Sequence, residues 1–277
     1  MFLHCGKFKL DLSRPLVMGV VNVTPDSFSD GGRHLRLDAA LAHAHRLIAE
    51  GAAMLDIGGE STRPGALPVS VQEELDRVIP VLEGLRKAPV PVSIDTRKTE
   101  VMRAALAAGA ALVNDINALQ EPGALDAVAG SDAAICLMHK QGDPQTMQVQ
   151  PHYGDVVGEV KSFLQARIAA AAAAGIARER IVADPGFGFG KALGHNLALL
   201  RELGALRELG VPILAGLSRK SMLGALTGQG VEDRMPASLA AALIAAQRGA
   251  SILRVHDVRA TVDALKVWEA VSGEMRL

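Results

Sequence analysis

The chain has 277 residues, 49% of them hydrophobic and 21% charged, which supplies a large apolar core and excludes a disordered polypeptide. Its formal net charge of −1 argues against a nucleic-acid partner or an anionic membrane surface. Two cysteines, Cys5 and Cys136, are too few for a disulfide framework, no stretch of about 18 uninterrupted apolar residues occurs, and MFLHCGKFKL lacks a signal-peptide pattern; a soluble protein of the cytoplasm is expected.

In chain order, Phe2–Leu12 reads as a small hairpin around Gly6, placed to plug one face of the fold. The apolar run Leu16–Val21 precedes a helical pattern over Asp38–Glu50 that stops before Gly51. Met54–Ile57 leads to Ser70–Arg86, in which Ser70 and Glu73 have capping-box spacing. Val90–Ile94 leads to Thr99–Ala108 and Gly109, Ala111–Val113 to a short Pro122–Ala129, and Ala133–Met138 to Val156–Ala174 and Gly175. Ile181–Ala183 leads to Asn196–Leu209, Pro212–Ala215 to Pro236–Arg248, and Ile252–Val255 to Val258–Val271. Eight strands thus alternate with eight helices. Short apolar runs suit strands buried on both faces of a parallel sheet, in either a doubly wound sheet or a closed barrel. A polar, Gly-rich cluster follows the C-terminal end of each run, where a barrel builds its active site. We therefore expect an α/β fold, a (β/α)8 TIM barrel, as a single domain over residues 1–277 with its core at about 15–272.

Two of the strand-end loops are longer than a connection needs. NVTPDSFSDGG (22–32) carries an exposed aromatic, Phe28, and GGESTRPGA (58–66) gathers Ser61, Thr62 and Arg63 beside Pro64. Such loops suit mobile segments that close over a substrate. Asp95, Asn114, Asp115 and Asp184 end successive strands; each alone is an ordinary N-cap candidate. Carboxylates and a carboxamide around one barrel mouth offer acceptors to a fused nitrogen heterocycle rich in N–H groups. No His-rich metal spacing is present, and His43 and His45 sit on an amphipathic helix as surface or packing residues. After the seventh run come Ser218, Arg219, Lys220 and Ser221, and Arg254 and His256 share one side of the eighth, a set suited to phosphate or diphosphate. DPGFGFGK (184–191) matches neither GxxxxGK[ST] nor GxGxxG; its glycines suit a sharp turn beside a ligand, with Phe187 or Phe189 as an aromatic wall.

VMGVVNVTPDSFSDGG, LDIGGESTRPGA, SIDT, LVNDI, DPGFGFGK, GLSRKS and RVHDV together resemble the dihydropteroate synthase family, the folate-pathway enzymes targeted by sulfonamides, over about Val17 to Val258. The resemblance implies a (β/α)8 barrel that joins 6-hydroxymethyl-7,8-dihydropterin diphosphate to 4-aminobenzoate, releasing diphosphate. It implies that Asp95, Asn114 and Asp184 hold the dihydropterin, with Lys220 beside it and Met138 in its apolar lining. Asn22 would help hold Mg²⁺ on the diphosphate, Arg254 and His256 would contact the diphosphate, and Thr62 would touch diphosphate or substrate. Arg63, Pro64, Phe189, Ser218, Arg219, Ser221 and Phe28 would shape the 4-aminobenzoate end. Asp95, Lys220, Arg254 and His256 are the implied catalytic set, and a homodimer is the family's usual assembly. Lys140 and Asp143 are local variations in the fifth loop. The alternative is a pterin-binding methyl-transfer domain using methyltetrahydrofolate, which needs the floor of Asp95, Asn114 and Asp184 but no diphosphate rim. A catalytically silent homologue is a third reading, against which Asn22, Lys220, Arg254 and His256 stand.

Overall fold

The computed structural model describes residues 1–23, 33–61, 66–143 and 146–272. An antiparallel hairpin, β1 (Phe2–Cys5) and β2 (Phe8–Asp11), comes first. It is followed by β3 (Leu16–Asn22), α1 (Arg33–Ala49), β4 (Met54–Gly58), α2 (Val71–Gly84), β5 (Val92–Asp95), α3 (Thr99–Ala108), β6 (Leu112–Asp115) and α4 (Ala124–Ala129). The second half comprises β7 (Ala134–Met138), α5 (Val156–Ala173), β8 (Ile181–Asp184), α6 (Leu193–Arg201), β9 (Leu214–Ala215), α7 (Ser221–Thr227), α8 (Met235–Gln247), β10 (Ile252–Val255) and α9 (Val258–Ser272).

The eight strands after the hairpin pair in parallel in the order β8-β7-β6-β5-β4-β3-β10-β9. A parallel bridge between Ala183 and Ile213, with Ala183 N–H donating to Pro212 O at 2.9 Å, joins the two ends. The ring is therefore a (β/α)8 TIM barrel. Strand alternation divides the buried residues into two layers. Val17, Leu55, Ile57, Ile94, Val113, Ile135, Leu137, Ile181 and Leu253 face the helices in the main core. Met18, Met54, Leu112, Ala134, Cys136, Val182, Leu214 and Ile252 form a separate cluster with Leu3, Cys5 and Leu12 of the hairpin. The hairpin thus seals the N-terminal end of the barrel, and Gly6 N–H ties it to Asp132 O at 3.0 Å. Both thiols lie in this apolar interior, where burial pushes Cys5 up to about 12.

Local signals explain most helix boundaries. Ser70 Oγ accepts the Glu73 N–H, whereas the Glu73 carboxylate turns to Arg77, so only half of the expected capping box forms. Gly109 closes α3 in the left-handed region at φ 106°. Three expectations need correction. The first helix begins at Arg33, five residues before Asp38. The segment Asn196–Leu209 is not one helix: α6 ends at Arg201, and Leu203–Leu209 is a 3₁₀ stretch. Leu203, Leu206 and Leu209 are all buried at a spacing of three, which is the 3₁₀ period and not 3.6. A ninth helix, α7, fills the loop ahead of Pro236. It is only seven residues long and contains Gly224, where a Cβ would meet Arg234 Nη2 at 2.4 Å, so periodicity does not reveal it. No helix among the described residues is long and apolar enough to cross a membrane.

Candidate active site

Above the hydrophobic plug, polar side chains take most of the inward-facing positions. They are Asn22 on β3, Asp56 on β4, Ser93 and Asp95 on β5, Asn114 on β6, Asp184 on β8, and Arg254 then His256 on or just past β10. Alternation turns Asp115 the other way. Its buried carboxylate accepts Asn117 and Leu119 N–H, both at 2.7 Å, so it shapes its own loop outside the barrel, and burial raises it to about 6.

Arg254 lies at the centre of the floor. Its Nε donates to Asp56 Oδ2 at 2.6 Å and its Nη2 to Asp95 Oδ2 at 2.8 Å. Asn114 Nδ2 donates to the same Asp56 oxygen at 3.0 Å. Burial raises Asp95 to about 7 against the opposing pull of Arg254, with Asp56 adding to the rise. Burial also raises Asp184, opposed by the Gly186 N–H that its Oδ1 accepts at 2.7 Å. Lys220 is pulled down to about 8 by burial, with Asp184 working against the shift. Burial lowers Arg254 too, but Asp56 and Asp95 more than offset it, so it stays charged. Three carboxylates facing two cations leave one formal negative charge when all are ionised.

An apolar wall stands beside this floor. Met138 and Phe189 pack with Ile116 and Met147, and Lys220 Nζ lies 4.2 Å from the Phe189 ring centroid. Phe187, the other aromatic candidate, is buried in the helix-facing core. The DPGFGFGK loop folds tightly onto the end of β7. At Gly186 (φ 68°) a Cβ would fall 1.9 Å from His139 O, and at Gly190 (φ 63°) one would fall 2.2 Å from Gln141 O. Lys191 stitches the loop together: its buried Nζ donates to Gly186 O at 2.9 Å and Phe189 O at 3.0 Å, and meets His139 Nδ1 at 2.9 Å. Burial lowers Lys191 to about 7 and His139 to about 3, so the imidazole is the neutral partner.

At the rim, Ser218 Oγ accepts the His256 N–H at 3.2 Å and lies 3.0 Å from His256 Nδ1. If the hydroxyl donates to Nδ1, the ring proton sits on Nε2. Arg219 has φ 57°, a strained value for a non-glycine residue, held by its N–H on Ser238 Oγ at 2.9 Å. Its guanidinium is occupied by Asp257, at 2.9 and 3.2 Å, and by Glu232 at 3.4 Å. Ser221 is exposed at the start of α7. At the foot of the second long loop, Glu60 accepts Val69 N–H at 3.4 Å and pairs with Lys98 at 2.7 Å; Lys98 also pairs with the buried Glu74. Phe28, Thr62, Arg63 and Pro64 lie outside the described residues.

The structure thus brings Asp95, Asn114, Asp184, Met138, Phe189, Lys220, Arg254 and His256 to one barrel mouth. Sequence reasoning missed Asp56, which resembles one more residue of a buried strand, and Ile116 and Met147, apolar residues in polar loops. Lys191 was visible only as a failed nucleotide motif.

A polar barrel floor that holds Arg254 and Lys220, with an apolar wall beside it, fits a barrel enzyme for a nitrogen heterocycle carrying an anion. The chain belongs to the pterin binding enzyme family, whose model matches residues 18–256. It is 53% identical over 262 residues to the dihydropteroate synthase of Escherichia coli strain K12, covering 94% of this chain and 93% of that one. The solved dihydropteroate synthase of Xanthomonas albilineans with 4-aminobenzoic acid matches at 59% identity and a TM-score of 0.93, covering 98% of both chains. The Burkholderia cenocepacia dihydropteroate synthase complexed with 7,8-dihydropteroate matches at 57% identity and a TM-score of 0.90, covering 99% of this chain and 97% of that one.

Proposed function

We propose that this chain is a dihydropteroate synthase, a transferase that condenses 6-hydroxymethyl-7,8-dihydropterin diphosphate with 4-aminobenzoate to give 7,8-dihydropteroate and diphosphate. The observation that carries the reading is the convergence of Asp95, Asn114, Asp184 and Lys220 on one floor beside the Arg254–His256 pair. Asp95 and Asp184 accept N–H groups of the pterin, Asn114 supplies a carbonyl acceptor, and Met138 covers the ring, with Phe189 packed beside it at the 4-aminobenzoate end. Arg254 and His256 meet the diphosphate.

The bond from the methylene carbon to the diphosphate oxygen breaks first, and its electron pair leaves with the diphosphate. The positive charge spreads into the electron-rich dihydropterin. The one net negative charge of the floor complements it, and a cation beside Asp95 draws down the raised pKa of that carboxyl and keeps it ionised. The arylamine, neutral at pH 7, then attacks the carbon with its lone pair and loses a proton to water. No strong base is required, because the site chiefly positions and neutralises.

Asn22 fits a magnesium ion carried on the substrate. A Cβ on Gly58 would lie 3.7 Å from Asn22 Oδ1 and 3.9 Å from Asp95 Oδ2, so this glycine keeps the space between them open. Mg²⁺ is commonly held by few protein oxygens together with water and phosphate, and it would neutralise charge on the leaving diphosphate. Thr62 joins the diphosphate contacts, and Phe28, Arg63, Pro64, Ser218, Ser221 and the backbone of Arg219 shape the 4-aminobenzoate end. The engagement of the Arg219 guanidinium by Asp257 and Glu232 favours a backbone role.

The working unit is a homodimer of the cytoplasm. Supporting this are the exposed Leu226 on α7, Met235 and Ile244 on α8, and Val267 and Val271 on α9; the α8 residues Ala241, Ala242, Ala245 and Ala246 face the core instead. Light scattering on Ile244→Glu tests the assembly, and an unchanged dimer would remove α8 from it. Mixing the protein with pterin diphosphate, 4-aminobenzoate and Mg²⁺ and measuring diphosphate release tests the activity. No release would return the methyl-transfer and silent-homologue readings, of which only the first predicts methyltetrahydrofolate binding.

A further inference from the structure

Asp56 was given no substrate contact above and counts only toward the charge of the floor, yet it is the most enclosed ionisable group there. It is wholly buried in the middle of β4. One of its oxygens, Oδ2, accepts both Arg254 Nε at 2.6 Å and Asn114 Nδ2 at 3.0 Å, which joins β10 and β6 through β4. Asp95, the second carboxylate on Arg254, differs in access: its side chain keeps 13% exposure at the mouth, against none for Asp56. A ring lowered into the barrel therefore meets Asp95 and not Asp56. As ligand N–H groups take up Asp95, its hold on Arg254 weakens, and the Asp56–Nε pair remains. The same carboxylate decides which way the Asn114 amide points. An ionised carboxylate only accepts hydrogen bonds, so the Asn114 NH₂ must face it, and the carbonyl oxygen is left for the ligand.

We propose that Asp56 is a positioning residue for the condensation: it anchors Arg254 for the diphosphate and turns the acceptor of Asn114 toward the pterin. This inference rests on the roles given above to Arg254 and Asn114. It adds that their geometry is set by a carboxylate the substrates never touch.

Two variants test it. Asp56→Ala removes the anchor. Asp56→Asn keeps an oxygen for Arg254 and Asn114, removes the charge, and directs its NH₂ to where Oδ1 is buried without a hydrogen-bond partner among the described residues. In folded protein, we expect Asp56→Ala to lower kcat/KM for pterin diphosphate by roughly a hundredfold, as for truncating one side of a buried charge pair, and Asp56→Asn by roughly tenfold. KM for 4-aminobenzoate should stay unchanged, because the anchor does not reach that end. In an Arg254→Ala background the loss from either variant should shrink to the part that acts through Asn114, because the anchor to Arg254 is already gone. The proposal is overturned if Asp56→Asn, which is expected to fold, keeps activity within about threefold of the parent. It is equally overturned if either variant loses the same factor in both backgrounds, or if the aminobenzoate KM rises as much as kcat/KM falls. Full activity of Arg254→Ala alone would instead sink the diphosphate role given to Arg254, a separate failure.

Discussion

Replacing Asp184 by asparagine changes one charge and little volume at the pterin floor. Its Oδ1 accepts the Gly186 N–H at 2.7 Å, and an asparagine carbonyl can keep that bond, so the DPGFGFGK turn survives. The second oxygen, which has no hydrogen-bond partner among the described residues, becomes an NH₂ that confronts pterin N–H groups, donor against donor. Losing one or two hydrogen bonds to a charged acceptor, at about 1.5–3 kcal/mol each, removes about 2–6 kcal/mol of ligand binding. That corresponds to roughly 30-fold to 10⁴-fold, its upper end meeting the factor by which a polar site rejects a ligand it cannot pair with. The fold should tolerate the change, because burial already disfavours the ionised carboxylate. Calorimetric titration with a pterin analogue, beside thermal unfolding of the same preparation, measures both quantities. Asp184→Ala, which also releases Gly186, should lose turnover completely and unfold at a lower temperature. Retention of analogue affinity within a factor of two by folded Asp184→Asn would refute the assignment of this carboxylate to the pterin.

Arg254→Ala should weaken pterin diphosphate much more than the unphosphorylated pterin alcohol; equal losses in calorimetry would mean that Arg254 serves only to balance Asp56 and Asp95. The pH profile of kcat/KM should be bell-shaped, rising as Asp95 ionises near 7 and falling as Lys220 loses its proton near 8. Lys220→Arg should move the falling limb to higher pH, and an unmoved limb would assign it to another group. The same shift of Asp95 has a sign for stability: the folded chain holds that proton more tightly than the unfolded chain, so the contribution is complete below about pH 4 and is lost as pH rises through about 7. Asp95→Asn should flatten that part of a denaturation-versus-pH series, and a slope identical to the parent would contradict it. Lys191→Met removes the donor to Phe189 O and Gly186 O; among the described residues only the latter keeps another partner, the Phe189 N–H at 3.1 Å, so a loss of about 1–3 kcal/mol in urea unfolding is expected, with higher KM for both substrates. Unaltered stability would show that the cost of burying the ammonium cancels the bonds it makes.

The barrel was legible in the chain because its signals are local. Strand runs such as Leu16–Val21 are apolar on both faces, and helices such as Thr99–Ala108 stop at a glycine whose positive φ the structure confirms. Alternation by two along the eighth run puts Arg254 and His256 on one side without any knowledge of their partners, and the structure turns that side inward. Where the local code changed period, at Leu203–Leu209, or was too short, at Ser221–Thr227, reading by 3.6-residue repeats failed. The hydrogen-bonding state of the floor was beyond reach for a different reason. Asp56 and Arg254 are 198 positions apart, and their pairing exists only because β10 returns beside β3, next to β4. In the sequence Asp56 is one polar residue in LDIGG and Lys191 is the end of a glycine-rich loop. Ring closure decides that the first anchors an arginine and the second satisfies three buried carbonyls, because burial and distance belong to the tertiary structure and determine what a charge is worth.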